Sequence, residues 1–130
     1  MRARTIVLLS LTALSCSAPS ASDPESSGAT VLEPKSTSEG LALTNPTDRT
    51  IYYAAFERKW VETGLFIWAQ CTDAPRCPAI PPRGTVQVPL SDISGYTSAA
   101  REARVYYWLL VPERKGQHRV ADLRSVVVPL

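Results

Sequence analysis

Apolar positions along the chain fall into two regimes. Near the N-terminus one run, Ile6 to Leu14, is broken only by Ser and Thr. From Leu41 onward, short apolar or aromatic runs alternate with Pro, Gly, Asn and Asp, the punctuation of an all-β chain. Leu41–Thr44 reads as a strand closed by the turn Asn45-Pro46-Thr47-Asp48. Thr50–Phe56 is β-branched and aromatic, as strands favour. Leu65–Gln70 reads as a third strand ending at Cys71. Pro78–Gly84 carries Pro78, Pro81 and Pro82 and predicts an irregular connection. Thr85–Leu90 alternates, with Val86, Val88 and Leu90 inward and Gln87 outward. Arg104–Val111 is the longest run, and Val105, Tyr107, Leu109 and Val111 share one face. Glu113–Gln117 predicts a hairpin turn, after which Val120–Leu130 returns with Val126, Val128 and Leu130 aligned. Ser98–Ala103, with Ser98 as N-cap, is the one segment that predicts a helix, of one or two turns.

Six to seven short strands within residues 41–130 predict an all-β, two-layer sandwich. Its layout resembles the small immunoglobulin-like and fibronectin-like sandwiches. With no Cys…Trp…Cys framework, that resemblance is one of architecture. Ser17 to Gly28 is rich in Ser, Pro and Ala without an apolar period, which predicts a disordered tether. The chain therefore divides into residues 1–15, a linker over 16–40, and a domain over 41–130. A first edge strand at Ala29–Glu33 is the alternative reading of the linker's second half.

Arg2 and Arg4 precede the first apolar run and give it the layout of an export signal. The run is too short to cross a bilayer as a helix, which takes about 20 residues. It ends in Ala13-Leu14-Ser15-Cys16, which resembles the lipobox of bacterial lipoproteins. The resemblance implies cleavage before Cys16, a diacylglyceryl group on its thiol, and a membrane partner reached through that anchor. One position departs from the pattern: Ala13 stands where that family more often has Leu. Ser17, rather than Asp, follows the cysteine. In Gram-negative members of the family this implies the outer membrane. Two or three acyl chains hold far more firmly than one, at about 0.8 kcal/mol per buried CH₂.

Charge and cysteine usage change the picture further. The chain carries 14 basic and 12 acidic residues. Losing Arg2 and Arg4 with the signal equalises them, so the mature chain lacks the footprint of a nucleic-acid binder. Three cysteines in an exported chain leave one odd thiol. Lipidation of Cys16 leaves Cys71 and Cys77 as a pair flanking a polar, Pro-containing turn. A disulfide fits that spacing and an oxidising envelope. Zinc sites favour tighter Cys spacing and more ligands, and the redox motif is Cys-x-x-Cys.

No constellation for catalysis, metal or cofactor is legible. The single histidine, His118, lies beside the predicted hairpin turn and reads as a solvated loop residue. Glu57, Glu62, Asp73 and Asp92 are the carboxylates nearest the apolar runs, and none forms a recognisable pair. There is no nucleophile elbow and no phosphate loop. The expectation is a non-enzymatic binding or structural domain without a cofactor. The aromatics are the richer set. Neighbours on a strand point to opposite faces, so Tyr52, Phe56, Tyr106 and Trp108 can share an outer face, with Trp68 nearby. An open patch of these rings would suit an envelope protein, a peptide or a glycan; the alternative is that a loop, the tether or the short helix covers them. Asn45-Pro46-Thr47 also resembles a loop motif of chagasin-like cysteine-protease inhibitors. There Thr-Gly follows, whereas here it is Asp48-Arg49, and a plain turn explains the three residues equally. Asp92–Tyr96 resembles a tyrosine corner, with a Gly-containing turn and half-buried Tyr as the other account.

Overall fold

The structure, a computed structural model, describes residues 31–64 and 68–130. The export signal, Cys16 and the first part of the linker lie outside the described residues, as do positions 65–67.

Alternation of apolar and polar side chains builds most of the strands. In β2 (Gly40–Thr44), Leu41 and Leu43 are buried while Ala42 and Thr44 are not. β5 (Thr85–Pro89) buries Val88 and keeps Gln87 exposed. β2 pairs antiparallel with β5 on one side and with β1 (Glu33–Thr37) on the other. Gly40 approaches its neighbour so closely that a Cβ there would meet the Val88 carbonyl. The stretch up to Gly40 is thus not all linker. Residues 33–37 form an edge strand, and Leu32 before it is buried in the core. This strand starts where the alternative Ala29–Glu33 strand was expected to end. Only one of its side chains, Pro34, is even half-buried, so its sequence carries no apolar signal.

The second sheet has the order β4-β3-β6-β7. β3 (Ile51–Glu57) pairs antiparallel with β6 (Glu102–Pro112), and β6 with β7 (His118–Pro129). β4 (Ala79–Ile80) is a two-residue strand inside the proline-rich connection expected to be irregular. The hairpin turn falls where expected: Glu113 N–H donates to the Gln117 carbonyl at 2.7 Å. Facing inward are Ile51, Ala55, Ile80, Val105, Tyr107, Leu109 and Val128, packed against Leu41, Leu43 and Val88 of the three-stranded sheet. Side chains so buried contribute about 1.5–3 kcal/mol each. Seven antiparallel strands in sheets of three and four make the domain the small β-sandwich that the pattern predicts.

Two elements differ from expectation. Ser98–Ala103 is not a helix. Ser98 and Ala99 lie in a turn, and β6 begins at Glu102, opposite Pro129. Glu102 and Ala103 are drawn instead into the ladder with Pro129 and Val128, which takes up their backbone groups outside a helix. The helix sits instead at Arg58–Thr63, α1, directly after β3. Of the predicted strand Leu65–Gln70, residues 68–70 are irregular, while 65–67 lie outside the described residues. Trp68 packs with its ring rather than pairing through its backbone.

Candidate functional site

Even-numbered residues of β3 and β6 point away from the sandwich core, and their aromatics meet there. Tyr52 pairs with Trp108, Ala54 with Tyr106, and Phe56 with Arg104. Trp68 lies over them, with its ring centroid 4.8 Å from Tyr106, 5.2 Å from Phe56 and 6.0 Å from Trp108. Trp60 of α1 stacks on Phe56 at 6.1 Å, and a Cβ on Gly95 would collide with its indole. Gly95, at φ +78°, therefore serves both the turn and the close approach. The expected aromatic set does assemble, with two of its rings buried and Tyr52, Trp68 and Tyr106 half-buried. Trp108 is 1% exposed and Phe56 8%. The Trp108 indole N–H donates to the Cys71 carbonyl at 3.2 Å, so its polar end is satisfied as burial requires. Trp60, at 42% exposure, is the outermost ring of the stack.

The segment that covers the rings is fixed at both ends. Glu57 caps α1 by accepting from Trp60 N–H at 2.6 Å. Arg58 reaches Glu102 at 2.7 Å and Glu62 at 3.1 Å, and Arg104 also binds Glu62. The Arg104 hydrogen bond holds the Glu62 carboxyl below its ordinary value, aided by Arg58. At the far end Cys71 and Cys77 form the expected disulfide, with Cα atoms 5.6 Å apart. Of the other carboxylates, Asp73 pairs with Arg76 across the disulfide loop. Asp92 has no ion-pair partner among the described residues. His118 begins β7 opposite Pro112 and is half-buried, so it is a strand residue rather than a loop residue.

Asn45 is wholly buried. Its amide donates to the carbonyls of Arg49 (2.6 Å), Ile80 and Pro81 (both 3.1 Å). Its carbonyl oxygen accepts from Thr47 N–H at 2.9 Å and Thr47 Oγ1 at 2.7 Å. The side chain thus staples the β2–β3 turn to the end of β4 and the residue after it, facing inward. The Asp92–Tyr96 segment is a Gly-containing turn, and its half-buried Tyr96 packs against the core.

A cleft of about 510 Å³ opens along the free edge of β3, beyond the short β4. Tyr53, Ala54 and Ala55 form its floor, Phe56 and Trp68 one wall, and Val88 with Asp92 the other side. Burial and the neighbouring Asp92 carboxylate together raise the Tyr53 pKa above its ordinary value. Among the described residues no group of three or more His, Cys, Asp or Glu could hold a metal ion, and no helix is long and apolar enough to cross a membrane. Sequence reasoning named Phe56, Trp68 and Asp92 but not the cleft that joins them. Pro78, opposite Tyr53, was the one local signal that the strand edge would be left incomplete.

Fold and site define a small β-sandwich with a covered aromatic layer and one strand-edge cleft. The chain matches no known family model, no curated protein and no solved structure.

Proposed function

We propose that this protein is an exported, lipid-anchored binding protein of the cell envelope, not an enzyme, with the cleft along β3 as its ligand site. The observation that carries the binding reading is the cleft itself. It combines aromatic and aliphatic walls, one carboxylate and exposed strand backbone, the mix by which ligand sites obtain both affinity and orientation. The anchor rests on the lipobox-like sequence ending at Cys16. The covered aromatics do not favour a glycan platform of open rings, and the inward Asn45 does not favour a protease-inhibitor loop.

Two measurements test this. Radioactive palmitate should label the wild-type chain and not Cys16→Ala, and an unlabelled wild type removes the anchor. The full chain in detergent micelles can be titrated, with amide NMR detection, against muropeptides, chitooligosaccharides and short peptides. At least one class should shift the signals of Ala54, Ala55, Trp68 and Ala69 together. If every probe leaves these signals in place, the cleft is not the site.

A further inference from the structure

The free edge of β3 has a vacancy of definite register. Alternate residues of an antiparallel strand turn both backbone groups to the same side, and Tyr53, Ala55 and Glu57 turn theirs away from β6. Tyr53 N–H donates to the Pro78 carbonyl at 3.2 Å. Pro78 has no N–H and returns nothing to the Tyr53 carbonyl. Further along, Ser94 bridges the same edge in the parallel sense. Its N–H donates to the Ala55 carbonyl at 3.1 Å, and its carbonyl accepts from Glu57 N–H at 2.8 Å. Had the parallel strand continued backward, Asp92 would serve Tyr53 and Ala55 in the same way. It does not, because Leu90–Asp92 coil into a single 3-10 turn. The Tyr53 carbonyl and the Ala55 N–H are therefore left without a hydrogen-bond partner among the described residues. Both residues line the cleft.

We propose that this one-residue vacancy, flanked on the same edge by Pro78 and Ser94, receives one residue of an extended basic peptide segment, which pairs with β3 in the parallel sense. One residue of the peptide donates its N–H to the Tyr53 carbonyl and accepts the Ala55 N–H at its own carbonyl, repeating the bridge that Ser94 makes one step further on. Main-chain pairing of this kind supplies affinity, and side-chain pockets supply selectivity. Asp92 sets the sign of the charge. Among the described residues it is the one charged side chain lining the cleft, and no cation pairs with it. Ala54 and Ala69 leave room beside the half-buried Trp68, where an aliphatic stem beneath a lysine head group finds apolar contact. The inference rests on the cleft being the ligand site, as proposed above, and adds the class of ligand and the way it binds.

The probe is a Val-Lys-Val-Lys-Val-Lys peptide added to the full chain in detergent micelles. Saturating peptide should slow hydrogen exchange of the Ala55 amide by roughly tenfold or more, as expected of a newly bonded N–H. Methylating the peptide's central backbone nitrogens should weaken binding roughly two- to tenfold, the range for one lost hydrogen bond. Asp92→Asn should weaken binding several-fold and flatten its salt dependence. A Val-Glu-Val-Glu-Val-Glu peptide should bind more weakly than the basic one. Binding that leaves Ala55 exchange unchanged, or that ignores N-methylation, overturns the main-chain bridge while keeping the cleft as a site. Cleft shifts from a sugar probe alone do the same. No cleft shift from any probe overturns both readings.

Discussion

Asn45 is a polar side chain at the centre of a buried hydrogen-bond network that ties two distant segments together. Its amide and its carbonyl oxygen are both engaged in a place with no access to water. Removing it deletes five hydrogen bonds and leaves the Thr47 N–H without its acceptor, while Gly84 N–H and Thr47 Oγ1 still serve the Pro81 and Arg49 carbonyls. A hydrogen bond contributes about 0.5–1.5 kcal/mol and a buried orphan costs about 1–3 kcal/mol. Asn45→Ala should therefore destabilise the domain by roughly 3 kcal/mol or more in urea unfolding. Asn45→Asp should do no better, because a carboxylate would face the carbonyls of Ile80 and Pro81. A variant of near wild-type stability would show that the staple is dispensable and free Asn45 for another role. In the sequence Asn45 was legible as a turn residue, since Asn-Pro-Thr-Asp is strong punctuation. Its burial was not, because two of the carbonyls it binds, those of Ile80 and Pro81, lie 35 and 36 residues away.

At the scale of elements, local pattern and outcome agree where a strand alternates and diverge where it does not. β2, β5, β6 and β7 lie where the apolar period put them, since one buried face fixes register. β1 escaped because an edge strand with polar faces has no period to read. The helix was expected at Ser98–Ala103 on the strength of a cap and alanines. It formed instead at Arg58–Thr63, where Glu57 caps it, Trp60 meets Phe56, and Glu62 joins two arginines. The Glu62 carboxyl is held below its ordinary value, chiefly by Arg104. A lowered folded-state value means that the contribution is present above the unfolded-state value and lost as pH falls through the folded one. The melting temperatures of wild type and Glu62→Gln should therefore differ modestly at neutral pH and converge in acid, below the ordinary carboxylate range near 4.5. An unchanged gap at every pH would mean that the ion pairs do not hold α1 in place. The group is solvent-exposed, so the effect should be small and shrink in high salt.

For the whole molecule, the arrangement amounts to two hydrophobic layers sharing one sheet. The inner layer fills the sandwich, and the outer layer holds Phe56, Tyr106 and Trp108 beneath Trp60 of α1 and Trp68. The Cys71–Cys77 bridge closes a short loop, with a sequence separation of 6. The chain-entropy account gives such a loop about 2 kcal/mol. Because the Cys71 carbonyl accepts from Trp108, reduction should loosen the outer layer before the inner one. Reduced protein should show increased Trp fluorescence quenching by acrylamide at denaturant concentrations where far-ultraviolet circular dichroism still reports native strands. Coincident loss of both signals would show that the two layers unfold as one unit.

Legible from the amino-acid order alone were the sandwich, most of its strands, the inward faces of β5, β6 and β7, and the Cys71–Cys77 pair. All of these follow from period and spacing within one segment. The amino-acid order also brought the outer aromatics into one set, because residues two apart on a strand share a face. Whether that face stayed open was decided only in three dimensions, by where α1 and Trp68 came to rest. The cleft was decided there too. It depends on Pro78 falling opposite Tyr53, on Ser94 bridging Ala55 and Glu57, and on Leu90–Asp92 turning away between them. Pro78, the 90–94 stretch and β3 are distant from one another in sequence, and no local pattern encodes which edge their backbones leave unpaired.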